Sequence, residues 1–299
     1  MTTLASAGSP AGYSIASDGV DVFWGAEGPG GLGAIGYVLS NAICGGAPET
    51  LDSISDDLGP YVQVAVNATS VYWLLDDDAN PPTIGVCAKT GSAGCSTLVT
   101  GMMQQDIAGL VVDDANVYFA YEEHGIMKMP VGSTTPTSLA PRGFAVSMAV
   151  DATDVYWLGP SIYSFYAGLW KCSINGCGTN ATQLSTVQGD SYLAVDSVNV
   201  YSADFNGFVY VCSKSGCGSS PAKLADTTNT RGIATDGVNV YWTAYDGTST
   251  GWIMKCAVGG CGMSPTMLVT EQDEPTAIAV DATSVYWTNT SGSVMRADK

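Results

Sequence analysis

The stretch Ile278-Ala279-Val280-Asp281-Ala282-Thr283-Ser284-Val285-Tyr286-Trp287 decides the fold, because it recurs along the whole chain. Its counterparts begin at Ile15, Val64, Leu110, Met148, Leu193 and Ile233. The turn position is always Asp or Asn, at Asp18, Asn67, Asp113, Asp151, Asp196, Asp236 and Asp281. Successive spacings are 49, 46, 38, 45, 40 and 45 residues. Repeats of roughly 40–50 residues are typical of β-propeller blades.

Each repeat has the pattern of four strands, here called a to d. Strand a is apolar, and its turn residue can accept hydrogen bonds from the backbone two residues on. Strand b is β-branched and aromatic, a composition that favours strands. Trp252-Ile253-Met254-Lys255 illustrates strand c, and Pro265-Thr266-Met267-Leu268-Val269 illustrates strand d. We therefore predict an all-β fold, a seven-bladed β-propeller of four-stranded blades, as one domain over residues 1–299.

The two chain ends are predicted to complete one blade. The last repeat ends after strand c, at Val294-Met295-Arg296, while Thr2-Thr3-Leu4-Ala5-Ser6 resembles a strand d. Residues 1–6 would then supply the outer strand of the last blade and residues 275–299 its inner strands. Closure of this kind pairs strand edges that would otherwise stay exposed.

Charge limits the partners that the chain can take. It has 10 Lys and Arg against 28 Asp and Glu, a net charge of −18. Nucleic-acid binding depends on neutralising phosphates with cations, so it is not expected. High solubility, a divalent cation or a basic partner all remain compatible with this surface. No apolar run is long enough for a membrane span, and residues 1–5 lack the features of a signal peptide.

The cysteines predict disulfides and an extracellular or periplasmic location. Eight of the nine pair by spacing, as Cys87/Cys95, Cys172/Cys177, Cys212/Cys217 and Cys256/Cys261. Each pair lies at the turn between strands c and d, where facing positions of a hairpin have disulfide geometry. Zinc is the rival reading, but a chain with one histidine gathers no four-ligand site. Cys44 lacks a partner, since Leu39 occupies the matching position, and is expected to be a free thiol.

Two strand b segments resemble the YWTD repeat. They are Val285-Tyr286-Trp287-Thr288-Asn289 and Val240-Tyr241-Trp242-Thr243-Ala244. That repeat builds the extracellular propellers of low-density-lipoprotein-receptor-type proteins, and the chain is also similar to uncharacterised bacterial secreted proteins. The final Asp of the repeat is replaced by Asn289, Ala244 or Gly25. The resemblance implies a propeller that binds proteins.

The loops that join strand d to a and strand b to c share one face of a propeller, here called the loop face. They vary in length and are acidic, whereas the turns on the opposite face are short and repetitive. Loops on a rigid scaffold are where function concentrates. Calcium, which takes oxygen ligands, is a candidate at two acidic runs. These runs are Asp76, Asp77 and Asp78, and Glu271, Asp273 and Glu274. The alternative reading is a solvated acidic surface.

The mouth of the central channel is the second candidate site. Strand a places mostly small or apolar residues there, and the polar or aromatic exceptions are Tyr61, Gln63, Asp190 and Tyr192. Arg142 and Arg231 lie in nearby d–a loops, and the sole histidine, His124, lies in a b–c loop. Together these residues define a candidate ligand pocket. Ordinary capping of the channel is the alternative.

Two functions follow as hypotheses. The first is a secreted or periplasmic binding module that uses its acidic loop face for a protein, glycan or cation. The second is an enzyme, a lyase or hydrolase, with Tyr61, Asp190, Tyr192 or His124 as acid or base at the channel mouth. A structural or assembly subunit is a third reading, for which an exposed apolar rim would be the sign.

Overall fold

The structure is a computed structural model. It describes residues 1–5, 12–27, 35–42, 48–55, 61–76, 81–89, 94–101, 107–121, 124–141, 145–159, 167–186, 191–204 and 207–299. Within these ranges, 28 strands form seven four-stranded antiparallel sheets.

Six sheets are blades of consecutive strands. Blade 1 contains β2 (Gly12–Ser17), β3 (Asp21–Glu27), β4 (Ile35–Ala42) and β5 (Glu49–Ser55). Blade 2 contains β6 (Tyr61–Val66), β7 (Ser70–Asp76), β8 (Thr83–Ala88) and β9 (Cys95–Thr100). Blade 3 contains β10 (Ile107–Val112), β11 (Asn116–Tyr121), β12 (Gly125–Pro130) and β13 (Thr137–Ala140). Blade 4 contains β14 (Ser147–Val150), β15 (Asp154–Gly159), β16 (Gly168–Ser173) and β17 (Thr182–Ser185). Blade 5 contains β18 (Ser191–Val195), β19 (Asn199–Asp204), β20 (Phe208–Ser213) and β21 (Ala222–Asp226). Blade 6 contains β22 (Ile233–Thr235), β23 (Asn239–Tyr245), β24 (Thr250–Ala257) and β25 (Thr266–Asp273).

The remaining sheet closes the ring and is called the closing sheet. It contains β26 (Pro275–Val280), β27 (Ser284–Asn289), β28 (Val294–Asp298) and β1 (Thr2–Ala5), in the order β1-β28-β27-β26. The prediction of seven blades is therefore wrong. The ring has six continuous blades, and β1 and β26–β28, which come from opposite ends of the chain, form one composite closing sheet.

The apolar core lies between neighbouring sheets. Each cluster of buried apolar side chains in the described chain combines residues of two adjacent sheets. The cluster that joins the closing sheet to blade 1, for example, packs Leu4 and Tyr286 against Trp24. The strand b tryptophans are at most 4% exposed, at Trp24, Trp73, Trp157, Trp242 and Trp287. These rings are therefore core residues.

The turn between strands a and b is built on one carboxylate. In blade 6, Oδ1 of Asp236 accepts the N–H groups of Val238 (2.9 Å) and Asn239 (2.7 Å), and Oδ2 accepts the hydroxyl of Tyr241 (3.1 Å). The same Asp–Tyr bond recurs in blades 3, 4 and 5 and in the closing sheet. Strand b is thereby tied to its own turn.

Lysines of the following sheet bind three of these carboxylates. Lys299 of the closing sheet lies 2.7 Å from Asp236 of blade 6. Lys89 binds Asp18 in the same way between blades 2 and 1, and Lys214 binds Asp151 between blades 5 and 4. The face opposite the loop face therefore carries ion pairs that cross from sheet to sheet.

Inner strands of adjacent blades are joined by side chains. The hydroxyl of Ser14 accepts the N–H of Val64 (3.0 Å), and the amide oxygen of Gln63 accepts the N–H of Leu110 (2.8 Å). These contacts satisfy backbone donors that strand pairing within one blade leaves free.

All four predicted disulfides are confirmed, in blades 2, 4, 5 and 6. They join Cys87 to Cys95, Cys172 to Cys177, Cys212 to Cys217 and Cys256 to Cys261. The first cysteine of every pair lies on strand c and is buried, whereas the second is only half-buried, at Cys95, Cys177, Cys217 and Cys261. The zinc reading is wrong for these eight residues, because a cysteine in a disulfide offers no thiolate to a metal.

The half-buried cysteines also contact strand d of the preceding blade. The N–H of Cys177 donates to the carbonyl of Leu139 (3.3 Å), and the N–H of Cys217 donates to the carbonyl of Leu184 (2.8 Å). In blade 6, Sγ of Cys261 lies 3.9 Å from the carbonyl oxygen of Leu224. Each disulfide turn therefore joins two blades as well as two strands.

Cys44, expected to be a free thiol, lies outside the described residues. Within the part of the chain that the structure describes, no helix has the length and apolar character needed to cross a membrane.

The first prediction concerns the Asp236 carboxylate. Burial acts to raise its pKa, but Lys299, the turn N–H groups and Tyr241 together lower it to about 2. A lowered pKa stabilises the fold above the unfolded value near 4, and that contribution disappears as the pH falls towards 2. We expect Asp236→Asn to reduce the free energy of unfolding at pH 7 by about 2 kcal/mol, and the difference from wild type to vanish near pH 2.

Urea denaturation of wild type and Asp236→Asn between pH 2 and pH 7 tests this prediction. Asp196→Asn is the matched control, because Asp196 has the same turn and tyrosine bonds but no lysine partner among the described residues. We expect a smaller loss for the control; equal losses would contradict the role given to Lys299.

The second prediction concerns one disulfide. Replacing both Cys212 and Cys217 by Ala should cost roughly 2 kcal/mol of unfolding free energy, because the closed loop is short. The measurement is urea denaturation without reductant. When all disulfides of both proteins are reduced, the double variant and wild type should unfold at nearly the same urea concentration. A persistent difference between the two midpoints would show that the variant had lost packing and not only the covalent link.

Candidate functional site

A cluster of polar side chains lies on the loop face where blades 5 and 6 meet the closing sheet. Arg231, between β21 and β22, donates to a carboxylate oxygen of Glu274 (3.2 Å) and to the hydroxyl of Tyr245 (3.0 Å). The guanidinium also lies 4.4 Å from the centre of the Tyr245 ring. Both members of the Arg231–Glu274 pair are about a quarter exposed, at 28% and 25% of their side-chain surfaces. The pair is thus partly shielded from water.

Tyr192 of blade 5 joins this cluster from strand β18. Burial raises its pKa, and the neighbouring positive charge of Arg231 acts in the opposite direction. The phenol therefore remains protonated at neutral pH. The structure brings together two of the residues predicted at the channel mouth, Tyr192 and Arg231, and one predicted as a metal ligand, Glu274.

The backbone at Glu274 is strained. Its φ is +42°, in the left-handed region that residues with a side chain rarely adopt. The N–H of Glu274 donates to the carbonyl of Ser249 (3.0 Å), and its carbonyl accepts the N–H of Thr290 (3.2 Å). Bonds from blade 6 and the closing sheet therefore hold the conformation, and strain held by its surroundings is a feature of functional sites.

Buried hydroxyls support the cluster from below. Thr243 Oγ1 accepts the N–H of Arg231 (3.2 Å) and donates to the carbonyl of Thr276 (3.0 Å). The hydroxyls of Thr276 and Thr288 are 2.7 Å apart. Thr230 is fully buried, and its hydroxyl has no partner among the described residues. This layer of polar side chains thus runs from the loop between β21 and β22 into the closing sheet.

A groove of about 310 Å³ opens beside this cluster. Its lining residues come from the end of blade 5 and from blade 6: Asp226, Thr227, Thr228, Ala244, Trp252, Met254 and Met267. Met267 is 57% exposed, whereas Met254 is buried. The hydroxyl of Thr227 is already engaged by the indole N–H of Trp242 (2.8 Å). The groove is therefore largely apolar, with one carboxylate at its edge.

The other predicted channel residues do not form a described pocket. The amide of Gln63 is used between blades 2 and 3. Tyr61 begins β6, but its side chain lies outside what the structure describes, as do Asp190 and Arg142. His124 is exposed in blade 3, with its ring 4.7 Å from that of Tyr121.

The predicted metal ligands fall into two groups. Asp76 ends β7, and Asp77 and Asp78 lie outside the described residues. Glu271 and Asp273 are exposed on β25, while Glu274 is bound to Arg231, whose charge opposes a cation there.

Atoms that could ligate a metal do converge elsewhere. Among the described residues, Asp52, Cys87 and Cys95 are grouped in this way. The two cysteines are joined in a disulfide, which removes them as thiolate ligands.

Sequence reasoning missed Tyr245 and the groove. The available signal was Trp252, a tryptophan outside the recurring strand b position. Asp226, Thr227 and Thr228 on the other side of the groove come from the end of blade 5, so spacing along the chain did not connect them with Trp252.

Comparison with known proteins supports the fold. No family model and no curated protein matches the chain. The crystal structure of the computationally designed Ika8 protein is similar over the full length of both chains, with a TM-score of 0.64 and 14% identity. BamB from Moraxella catarrhalis is similar over 96% of this chain and 84% of its own, with a TM-score of 0.59 and 14% identity.

The fold is a β-propeller. At 14% sequence identity, these two similar structures show the propeller architecture alone. No family model supports the resemblance to the YWTD repeat.

The third prediction tests the strain at Glu274. Both Glu274→Ala and Glu274→Gly lose the bond to Arg231, but Gly accepts a positive φ without a steric penalty. We expect Glu274→Gly to be more stable than Glu274→Ala by roughly 1 kcal/mol, the cost of the left-handed conformation. Thermal unfolding measures both variants.

Thr266, an exposed residue at the start of β25 that pairs with Lys255, provides the control. There Thr266→Gly should be less stable than Thr266→Ala, since Gly loses more backbone freedom on folding and this position does not need a positive φ. If Gly is the less stable residue at both positions, the backbone at Glu274 is not strained.

Proposed function

We propose that the protein is a secreted or periplasmic binding module that holds its ligand on the loop face of blades 5 and 6. The observation that carries this proposal is the groove beside Trp252. It is preformed and lined by apolar side chains with a few polar groups at its edge, which is the usual composition of a ligand site. Its volume lies at the lower end of such sites, roughly 300–1,000 Å³.

The distribution of charge supports ligand binding on the loop face and not on the opposite face. On the opposite face, carboxylates such as Asp236 and Asp151 are bound by lysines and tyrosines of the scaffold. On the loop face, the exposed carboxylates of Glu271 and Asp273 have no ion-pair partner among the described residues. Charges that the scaffold does not use are free to act on a ligand.

The four disulfides support the proposed location. Disulfides persist in oxidising compartments such as the periplasm and the extracellular space. The acidic surface supports a soluble module that attracts cationic groups, and nucleic acid is not proposed as a ligand.

An enzyme acting at the channel mouth, a lyase or hydrolase, is the second candidate. It draws on the grouping of Tyr192, Arg231, Tyr245 and Glu274 and on the strain at Glu274. In this arrangement Tyr192 could act as an acid, since burial keeps it protonated, and Arg231 could hold a carboxylate. The mutual neutralisation of Arg231 and Glu274 makes binding the better-supported function.

Hydrogen exchange measured by mass spectrometry tests the proposal. The purified protein is mixed separately with calcium chloride, with a set of neutral oligosaccharides, and with cationic and anionic peptide pools. We expect at least one probe to slow exchange in the segments that line or border the groove, 226–231, 244–252 and 266–276, because bound ligand excludes water and restrains the loops.

The same mixtures are analysed for reaction products. Slowed exchange only on the opposite face, or no protection by any probe, would overturn the binding proposal. Cleavage of a probe would favour the enzyme instead, and Tyr192→Phe should then abolish the cleavage.

A further inference from the structure

We infer that the ligand of the groove is an extended segment of another protein in which a large apolar side chain is flanked by Lys or Arg. This inference rests on the proposed binding function and names the class of its partner. The groove would take the apolar side chain, and the carboxylates around it would bind the flanking cations.

The lining of the groove selects an apolar side chain. Trp252, Met254, Met267 and Ala244 supply most of it. Methionine side chains are flexible and polarisable, so they adapt to differently shaped apolar partners. A glycan would need several donors and acceptors, but the polar side chains of the lining are only Asp226, Thr227 and Thr228, and Thr227 already accepts the indole N–H of Trp242. Leu, Met or Phe of a peptide fits this chemistry better.

The charge around the groove selects cations. Between Lys223 and Glu274 the loop face carries five carboxylates, on Asp226, Asp246, Glu271, Asp273 and Glu274. Two are paired, Asp226 with Lys223 and Glu274 with Arg231. The other three have no ion-pair partner among the described residues.

The paired carboxylate at the groove edge is also accessible. The side chain of Asp226 is 62% exposed and that of Lys223 is 38% exposed. An ion pair so exposed contributes little and exchanges readily with another cation. A Lys or Arg next to the inserted apolar side chain could therefore reach Asp226.

Strand β25 sets the spacing of a second cation. It carries Met267 at the groove and Glu271 four residues later. Because β25 bulges between these residues, with Met267 paired to Met254 and Gln272 paired to Gly251, they are separated by about three residues of a regular strand, about 10 Å. An extended partner lying along β25 would thus place a cation about three residues from its apolar side chain. A peptide with lysines adjacent to and three residues from one leucine on both sides satisfies either direction of binding.

The experiment uses the peptide acetyl-KGKLKGK-amide and protein labelled with ¹³C at its methionine methyl groups. Two control peptides replace the leucine by serine or all four lysines by glutamate. Met267→Lys tests the groove. Val238→Lys is the matched variant, because it adds the same charge at a 67% exposed site on the opposite face.

We expect the leucine peptide to shift the methyl signals of Met254 and Met267. The serine peptide should bind at least about tenfold more weakly, because burial of a leucine side chain is lost. The glutamate peptide should cause no shift. Met267→Lys should weaken binding about tenfold, and Val238→Lys should stay within about twofold of wild type.

Three results would overturn the inference. They are equal affinities for the leucine and serine peptides, equal weakening by Met267→Lys and Val238→Lys, or the absence of methyl shifts with the leucine peptide. The hydrogen-exchange experiment separates these failures from that of the proposed function. If calcium or an oligosaccharide protects the loop face while the peptide does not bind, the protein is a binding module with a different ligand; if nothing protects it, both proposals fail.

Discussion

The turn between strands a and b is the constraint on which the rest of the structure depends. One carboxylate oxygen caps the turn, and the other accepts the hydroxyl of a tyrosine from strand b, as in Asp281 and Tyr286 (2.7 Å). The tyrosine ring is fully buried between sheets. One residue pair therefore fixes the turn, the register of strand b and the packing against the next sheet.

Neighbouring sheets are held by several kinds of contact on that side of the ring. Lysines bind the turn carboxylates of the preceding blade, and the disulfide turns bond to its outer strand. These lysines, carboxylates and turn N–H groups are thus committed to the scaffold. Among the described residues of the loop face, Glu271 and Asp273 are exposed and have no ion-pair partner, so these two side chains are not needed to hold the ring together.

The site has its own layer of support. The threonines beneath Arg231 link blade 6 to the closing sheet, and the strained Glu274 is held by both. This layer fixes one wall of the loop face beside the groove. A preorganised surface of this kind loses little entropy when a ligand binds.

Local sequence predicts the elements of this ring well, because the determinants are close together in the chain. Asp236 and Tyr241 are five residues apart, and Cys212 and Cys217 meet across one hairpin turn. Hydrogen bonding and covalent geometry at such short range leave few alternatives. Strand order, turns and disulfides could therefore be read from spacing.

The candidate site could not be read in this way. Gln63 had the features of a channel ligand, but its amide bonds to the backbone of Leu110 in the next blade. Thr227, Trp252 and Met267 line one groove although they come from two blades. Sequence alone determined the repeats, the disulfides and the acidic charge, since these depend on near neighbours and composition. Tertiary structure decided which side chains the scaffold uses and which remain for a ligand, because contacts between blades depend on the closed ring.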